Sequence, residues 1–311
     1  MSNPEGSDVV HPQAHAHEPA SEVAARAGEV TRGNVPQWRK RSWTSMIAAY
    51  PATSVLMGIN LLVFALMFRW SPVIPLWKAH QYGSVLTAQF DGNVLYHYGG
   101  CDGWAVLRGE WWRLVTACFV HASILHIATN LWCLWNLGLF GEPLLGRWGL
   151  GWVYILTGVT GNLLSTTETV LRHDFTIAVG ASGAIFGIAG ILIVLLSNRK
   201  LAIPWEELKS LRRQVILFAV INLALGIAPQ FSPSLTAAEW ARLHVNPRNI
   251  PNIDNSAHLG GLLSGLALGL PLLPKMTTGK ARYRARQRAT FVAAALFLSL
   301  WGYALSRFAG G

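Results

Sequence analysis

Apolar residues in this chain come in blocks, not in the one-sided spacing of a soluble amphipathic helix. Seven stretches, near 50–69, 122–140, 150–168, 178–197, 214–229, 256–273 and 289–307, are apolar almost throughout. Each is roughly 16 to 20 residues long, about the length a helix needs to cross ~30 Å of hydrocarbon. The fifth is the shortest. The pattern predicts an all-α, polytopic membrane protein. Weak interior polarity in several stretches predicts helices that pack on one another. Residues 1–45 show no periodic apolar pattern and read as a disordered tail. The tail lacks the basic start, short apolar run and small-residue cleavage site of a signal peptide. Its acids Glu5, Asp8, Glu18, Glu22 and Glu29 speak against a mitochondrial transit peptide. His11, His15 and His17 form a weak metal-binding pattern within a solvated, low-complexity segment.

Composition agrees with the blocks. The 311 residues are 52% hydrophobic and only 13% Asp, Glu, Lys and Arg, with 14 Trp. Soluble domains average about 25% charged residues. An ordinary soluble enzyme and a disordered protein are both excluded. The net charge of +10 first suggests a polyanion, so its distribution matters. Sorted by alternate loops, 17 basic residues fall with the tail, Arg147, the 198–213 loop and the 274–288 loop, and 8 fall on the other side. Basic loops mark the cytoplasmic face. This places the N-terminus inside and the C-terminus outside. Juxtamembrane basic loops meet anionic lipid headgroups, so membrane lipids are expected partners and nucleic acid is not.

The 15 acids all lie outside the apolar cores, with Glu142, Glu168 and Asp254 at their edges. Proton-coupled transporters and aspartyl intramembrane proteases carry intramembrane carboxylates. No His-Glu-x-x-His occurs, because His17-Glu18 is followed by Pro19, Ala20 and Ser21, and a zinc protease is unsupported. No metal and no small-molecule cofactor is implied.

The polar residues in the spans are few. His121, His126 and Asn130 open the second stretch, Ser182 opens the fourth and His258 the sixth. These three stretches all run from outside to inside, so their first turns share one depth. A hydroxyl, a base and oxyanion donors in one layer are what nucleophilic acyl transfer requires. Gly261, Gly265 and Gly269 follow His258 on one helical face. Gly183, Gly187 and Gly190 form a second smooth stripe beside Ser182. Small residues at such spacing let membrane helices approach closely, and stripe on stripe would bring Ser182 to His258. Asp254 stands four residues before His258, placed to cap the sixth helix or, as the less favoured reading, to orient the imidazole.

These residues resemble the rhomboid serine proteases. The resemblance rests on Gly109-Glu110-Trp111-Trp112-Arg113, on His121, His126 and Asn130 as His-x4-His-x3-Asn, and on Gly180-Ala181-Ser182-Gly183. Ala257-His258 followed by Gly261 and Gly265 continues it, as does Gly138 with Glu142 and Gly146. It covers about residues 50–273. It implies a six-helix core with one extra C-terminal transmembrane helix. The chain then divides into a tail (1–45), a catalytic core (46–273), a basic cytoplasmic loop (274–288) and a seventh helix (289–311). It implies that Ser182 is the nucleophile and His258 its base, a dyad without an acid. His126, Asn130 and the Ser182 N–H would form the oxyanion hole. His121, Trp112 and Arg113, with Gly180, Gly183, Gly261 and Gly265, would be supporting residues. Phe186 stands where many members carry Tyr; its ring can still stack on the histidine. The implied substrate is a transmembrane helix of another protein, cut near its outer end. The alternative is an inactive relative that binds transmembrane helices. The expected location is a bacterial plasma membrane. The cysteines Cys101, Cys118 and Cys133 are odd in number and indicate no disulfide.

Overall fold

A computed structural model describes residues 43–70, 86, 89–173, 176–199, 201, 204–231, 254–273 and 280–309. The tail up to residue 42 and most of the loop expected over 230–255 lie outside the described residues. A short helix, α1 (Trp43–Ala49), is the first described element. The body that follows begins with α2 (Pro51–Trp70). Short helices α3 (Gly92–His97), α4 (Gly103–Leu107) and α5 (Arg113–Thr116), with a 3-10 turn at Ala117–Phe119, follow before the next long helix.

The second and third apolar stretches become one element, α6 (Ile124–Arg172, 49 residues), turned at Gly146. There φ is 75° and ψ 162°, a conformation that a side chain would oppose. Then come α7 (Ser182–Leu195), α8 (Trp205–Phe231), α9 (Asn255–Leu272) and α10 (Lys280–Ala309). The all-α polytopic expectation holds. A two-residue antiparallel bridge, β1 (Cys101–Asp102) with β2 (Ile177–Ala178), is the small addition. Among the described residues, three helices are long and apolar enough to cross a membrane by themselves: Pro51–Arg69, Ile124–Arg172 and Ala281–Phe308. The last begins well before residue 289, so Arg282, Arg284, Arg286 and Arg288 ride on the first turns of α10.

Position in the bundle explains two departures from the apolar blocks. α7 spans only 14 residues, about 21 Å at 1.5 Å per residue. That is shorter than the ~30 Å hydrocarbon layer. On its N-terminal side the helix cannot extend back through Gly180, where φ is +119°. A helix that starts late sets its first residue back from that end of the bundle. α7 is also apolar all round and buried along most of its length, as expected of a helix enclosed by others.

Glycine decides how close the neighbours come. A Cβ on Gly261 would fall on the Gly183 carbonyl oxygen, and one on Gly265 on the Gly187 carbonyl oxygen. From the other side, a Cβ on Gly190 would strike the Leu262 carbonyl. The two stripes predicted from spacing therefore meet backbone to backbone between α7 and α9. At the opposite end of the bundle, the buried Glu142 carboxylate accepts from Ala52 N (2.8 Å), Thr53 N (2.9 Å) and Thr53 Oγ1 (2.8 Å). These are first-turn donors of α2 that have no partner within the helix. A carboxylate there also meets the positive end of the helix dipole. Gly138 leaves room for Thr53 beside it.

Candidate active site

Ser182 is the first residue of α7 and half-buried. Its backbone N–H stands at a helix N-terminus, where no intrahelical carbonyl can receive it. The turn before it is pinned: Gly180 N donates to Ala117 O at 2.9 Å, and Ala181 N donates to His121 Nε2 at 3.4 Å. His121 is fully buried, and its Nδ1 lies 3.3 Å from Phe119 O. With Nδ1 donating to that carbonyl, Nε2 is left as the acceptor for Ala181. His121 thus holds the strap that carries Ser182.

His258 sits in the first turn of α9, which Asp254 caps by accepting from Ala257 N at 2.8 Å. The second Asp254 oxygen accepts from Ser165 Oγ at 2.6 Å. Capping, the reading favoured from spacing, is what the structure shows. The His258 ring is only 8% exposed and stacks on Phe186, with centroids 4.4 Å apart and planes 18° apart. Phe186 is one helical turn after Ser182, on the same face of α7. His258 Nδ1 is buried with no hydrogen-bond partner among the described residues.

The third element is the start of α6, capped by Ser123, whose Oγ accepts from His126 N at 3.2 Å. His126 Nδ1 accepts from Ala122 N at 3.4 Å. That bond leaves Nε2–H as the free donor of the ring. A Cβ placed on Gly180 would meet His126 Nε2 at 2.7 Å and Ser182 Oγ at 3.8 Å. The missing side chain is thus the opening onto which a ring donor and the hydroxyl both face. Asn130 is buried one turn deeper, and its amide donates to His126 O at 2.9 Å.

Arg113 and Trp112 lie apart from this cluster. Arg113 is buried among the short helices α3 to α5, donating to Glu110 Oε2 (2.7 Å), Tyr96 O (2.6 Å) and Gly100 O (3.0 Å). Its guanidinium also lies 3.8 Å from the Tyr96 ring centroid. The bond from Arg113 holds the Glu110 carboxyl below the usual carboxylate range. Trp112 is half exposed beside it. The Cys101 thiol, next to these helices, is pushed up to about 12 by burial. All three cysteines are unpaired.

Three supports went unread in the sequence. They are the Ala122 N–H that sets the His126 tautomer, the Ser165 hydroxyl on Asp254, and the Ala117 carbonyl holding Gly180. Two are backbone groups, which no residue type advertises. Chemically, the cluster offers a hydroxyl, an imidazole one turn away and donors on the far side of the hydroxyl.

Comparison with known proteins points the same way. The Rhomboid domain profile matches residues 108–275. The chain is 34% identical over 184 residues to "Rhomboid protease GluP" of Bacillus subtilis, covering 58% of this chain and 30% of that protein. It is 32% identical over 210 residues to "RHOMBOID-like protein 6, mitochondrial" of Arabidopsis thaliana, covering 64% and 58%. It is 31% identical over 181 residues to "Rhomboid-type serine protease 2" of Emericella nidulans, covering 58% and 31%. The matched stretch is less than two thirds of each relative's length.

Proposed function

The chain belongs to the rhomboid family, and on that premise we propose that it is a serine protease that cuts transmembrane helices. The observation that carries this reading is the convergence on α7. The His258 ring lies on Phe186, one turn from Ser182, while His126 Nε2 and Ser182 Oγ share the opening at Gly180.

The chemistry follows from these positions. His258 takes the Ser182 hydroxyl proton as Oγ attacks the scissile carbonyl carbon. The carbonyl oxygen becomes an oxyanion, met by His126 Nε2–H and the Ser182 backbone N–H, with Asn130 as the third donor. The imidazolium then protonates the leaving amine, the C–N bond breaks, and an ester on Ser182 remains. Water enters from the outer side and gives a proton to His258 as it attacks the ester; the C–Oγ bond then breaks, the imidazolium returns the proton to Ser182 Oγ, and the acid product leaves. No carboxylate is assigned to the imidazole, since Asp254 is committed to the α9 cap and to Ser165. Phe186 supplies the stacking face without a hydroxyl.

A helical substrate shields its carbonyls in its own hydrogen bonds. The segment cut must therefore unwind, which Gly or Pro near the cut makes easier. The recessed start of α7 sets the cut near the outer end of the substrate helix. The basic loops supply the orientation, with the N-terminus cytoplasmic and the C-terminus outside.

The test is cleavage of a reporter transmembrane helix co-reconstituted in liposomes. The wild-type chain cuts it, and the Ser182→Ala chain, inserted equally well, does not. Equal cleavage by both would overturn the assignment. Binding of the reporter without cleavage by either would return the inactive helix-binding relative.

A further inference from the structure

A cavity of about 910 Å³ lies at the end of the bundle opposite Ser182, between the Gly146 turn of α6 and the first turns of α10. Its charged rim is Arg147, Arg284 and Arg288, all exposed. Among the described residues none of the three pairs with a carboxylate. Glu142, an acid four residues before Gly146, is spent on α2. Trp148, 74% exposed, and Trp152 flank the rim, and the Arg147 guanidinium lies 5.6 Å from the Trp148 ring centroid. Exposed Trp beside Arg is the chemistry of a membrane–water boundary.

Below the rim the wall turns apolar along one face of α10. Arg284, Arg288, Phe291 and Ala295 line it in succession, at i, i+4, i+7 and i+11, a single helical stripe. From Arg284 to Ala295 the stripe descends ~16 Å, about half the ~30 Å hydrocarbon layer, or one leaflet. A soluble anion would use the rim and leave the stripe empty. A zwitterionic lipid offers the same phosphodiester but brings a quaternary ammonium up to three guanidiniums, whereas an anionic lipid offsets their positive charge.

We propose that this cavity binds one anionic phospholipid from the basic-side leaflet, its phosphodiester held by Arg147, Arg284 and Arg288 and an acyl chain lying on Phe291 and Ala295. The site joins the Gly146 turn, inside the matched Rhomboid domain, to α10 beyond it, and is independent of the protease reading. α10 is held there by two side chains: Tyr283 OH donates to Leu144 O at 3.4 Å and Gln287 Nε2 to Leu145 O at 3.0 Å. These carbonyls come free where Gly146 ends the first half of α6.

The test is native mass spectrometry of the full chain, titrated in detergent micelles with phosphatidylglycerol or phosphatidylcholine. Wild type retains one phosphatidylglycerol and releases phosphatidylcholine. Arg284→Gln with Arg288→Gln weakens retention tenfold or more. The same charge loss on α8, Lys209→Gln with Arg213→Gln, leaves it within twofold. Ala295→Trp keeps every charge, fills the apolar wall and weakens retention comparably. Equal retention of both lipids, or equal loss in the two double variants, would overturn the site. Displacement by equimolar glycerol 3-phosphate would assign the rim to a free phosphate and overturn the lipid.

Discussion

Along the seam between α7 and α9 backbone meets backbone, while along the seam between α6 and α10 side chains do the joining. In the first, Gly261 and Gly265 abut the carbonyls of Gly183 and Gly187, with no atom free to move aside. In the second, Tyr283 and Gln287 reach across to Leu144 and Leu145 and leave a cavity beside them. A backbone seam fixes the two helices rigidly, and with them the relative placement of the proposed nucleophile and base. A side-chain seam tolerates slack and suits a place where an external molecule fills space. On the proposed reading, the tight pair positions the chemistry and the slack pair anchors.

The sharpest way to break the contrast is to add methyls to the tight seam. Gly265→Val meets a carbonyl that cannot yield. It should cost about 3 kcal/mol, at the upper end for overpacking, seen as a lower thermal-unfolding midpoint. Reporter cleavage should fall with it to background. Wild-type cleavage by this variant would refute backbone contact as the positioning device. Next in size is His126→Ala, which removes a donor while the seam stays intact. Its kcat should fall about 10²- to 10³-fold with little change in KM. An effect confined to KM would place His126 in substrate binding.

On the slack seam the effects shrink. Gln287→Ala leaves the buried Leu145 carbonyl without its donor. It should cost about 1–2 kcal/mol and leave cleavage within twofold. A large loss of activity there would mean that α10 also positions the site. Smallest is Phe186→Tyr, which keeps the ring on His258 and adds a hydroxyl. Cleavage should change less than about threefold, because the stack depends on the aromatic face. A much larger change would mean that the ring does more than support the imidazole.

Much of this was legible in the chain, for identifiable reasons. Apolar blocks foretold the helices because hydrocarbon demands long, internally bonded segments. Glycine spacing foretold the α7–α9 contact because a missing Cβ matters only where something presses on it. The shortness of α7 was not legible, since apolar Ala178 and Val179 count into the block 178–197 although Ala178 pairs with Cys101 of β1. The start of α10 was hidden by charge: Arg282 to Arg288 read as loop residues yet form its first turns. The His126 tautomer rests on a backbone N–H, and the Glu142 clamp joins residues 89 and 90 apart. Neither a backbone donor nor so distant a pairing leaves a mark on local composition.

Everything proposed for the site turns on Ser182 being a nucleophile activated by His258. Labelling of the detergent-solubilised chain by a fluorophosphonate probe, with the modified peptide mapped by mass spectrometry, tests it most directly. A serine so activated gives a single adduct on Ser182, formed about 10²-fold more slowly or worse in His258→Ala. An adduct on another residue, or undiminished labelling of Ser182 without His258, would contradict it.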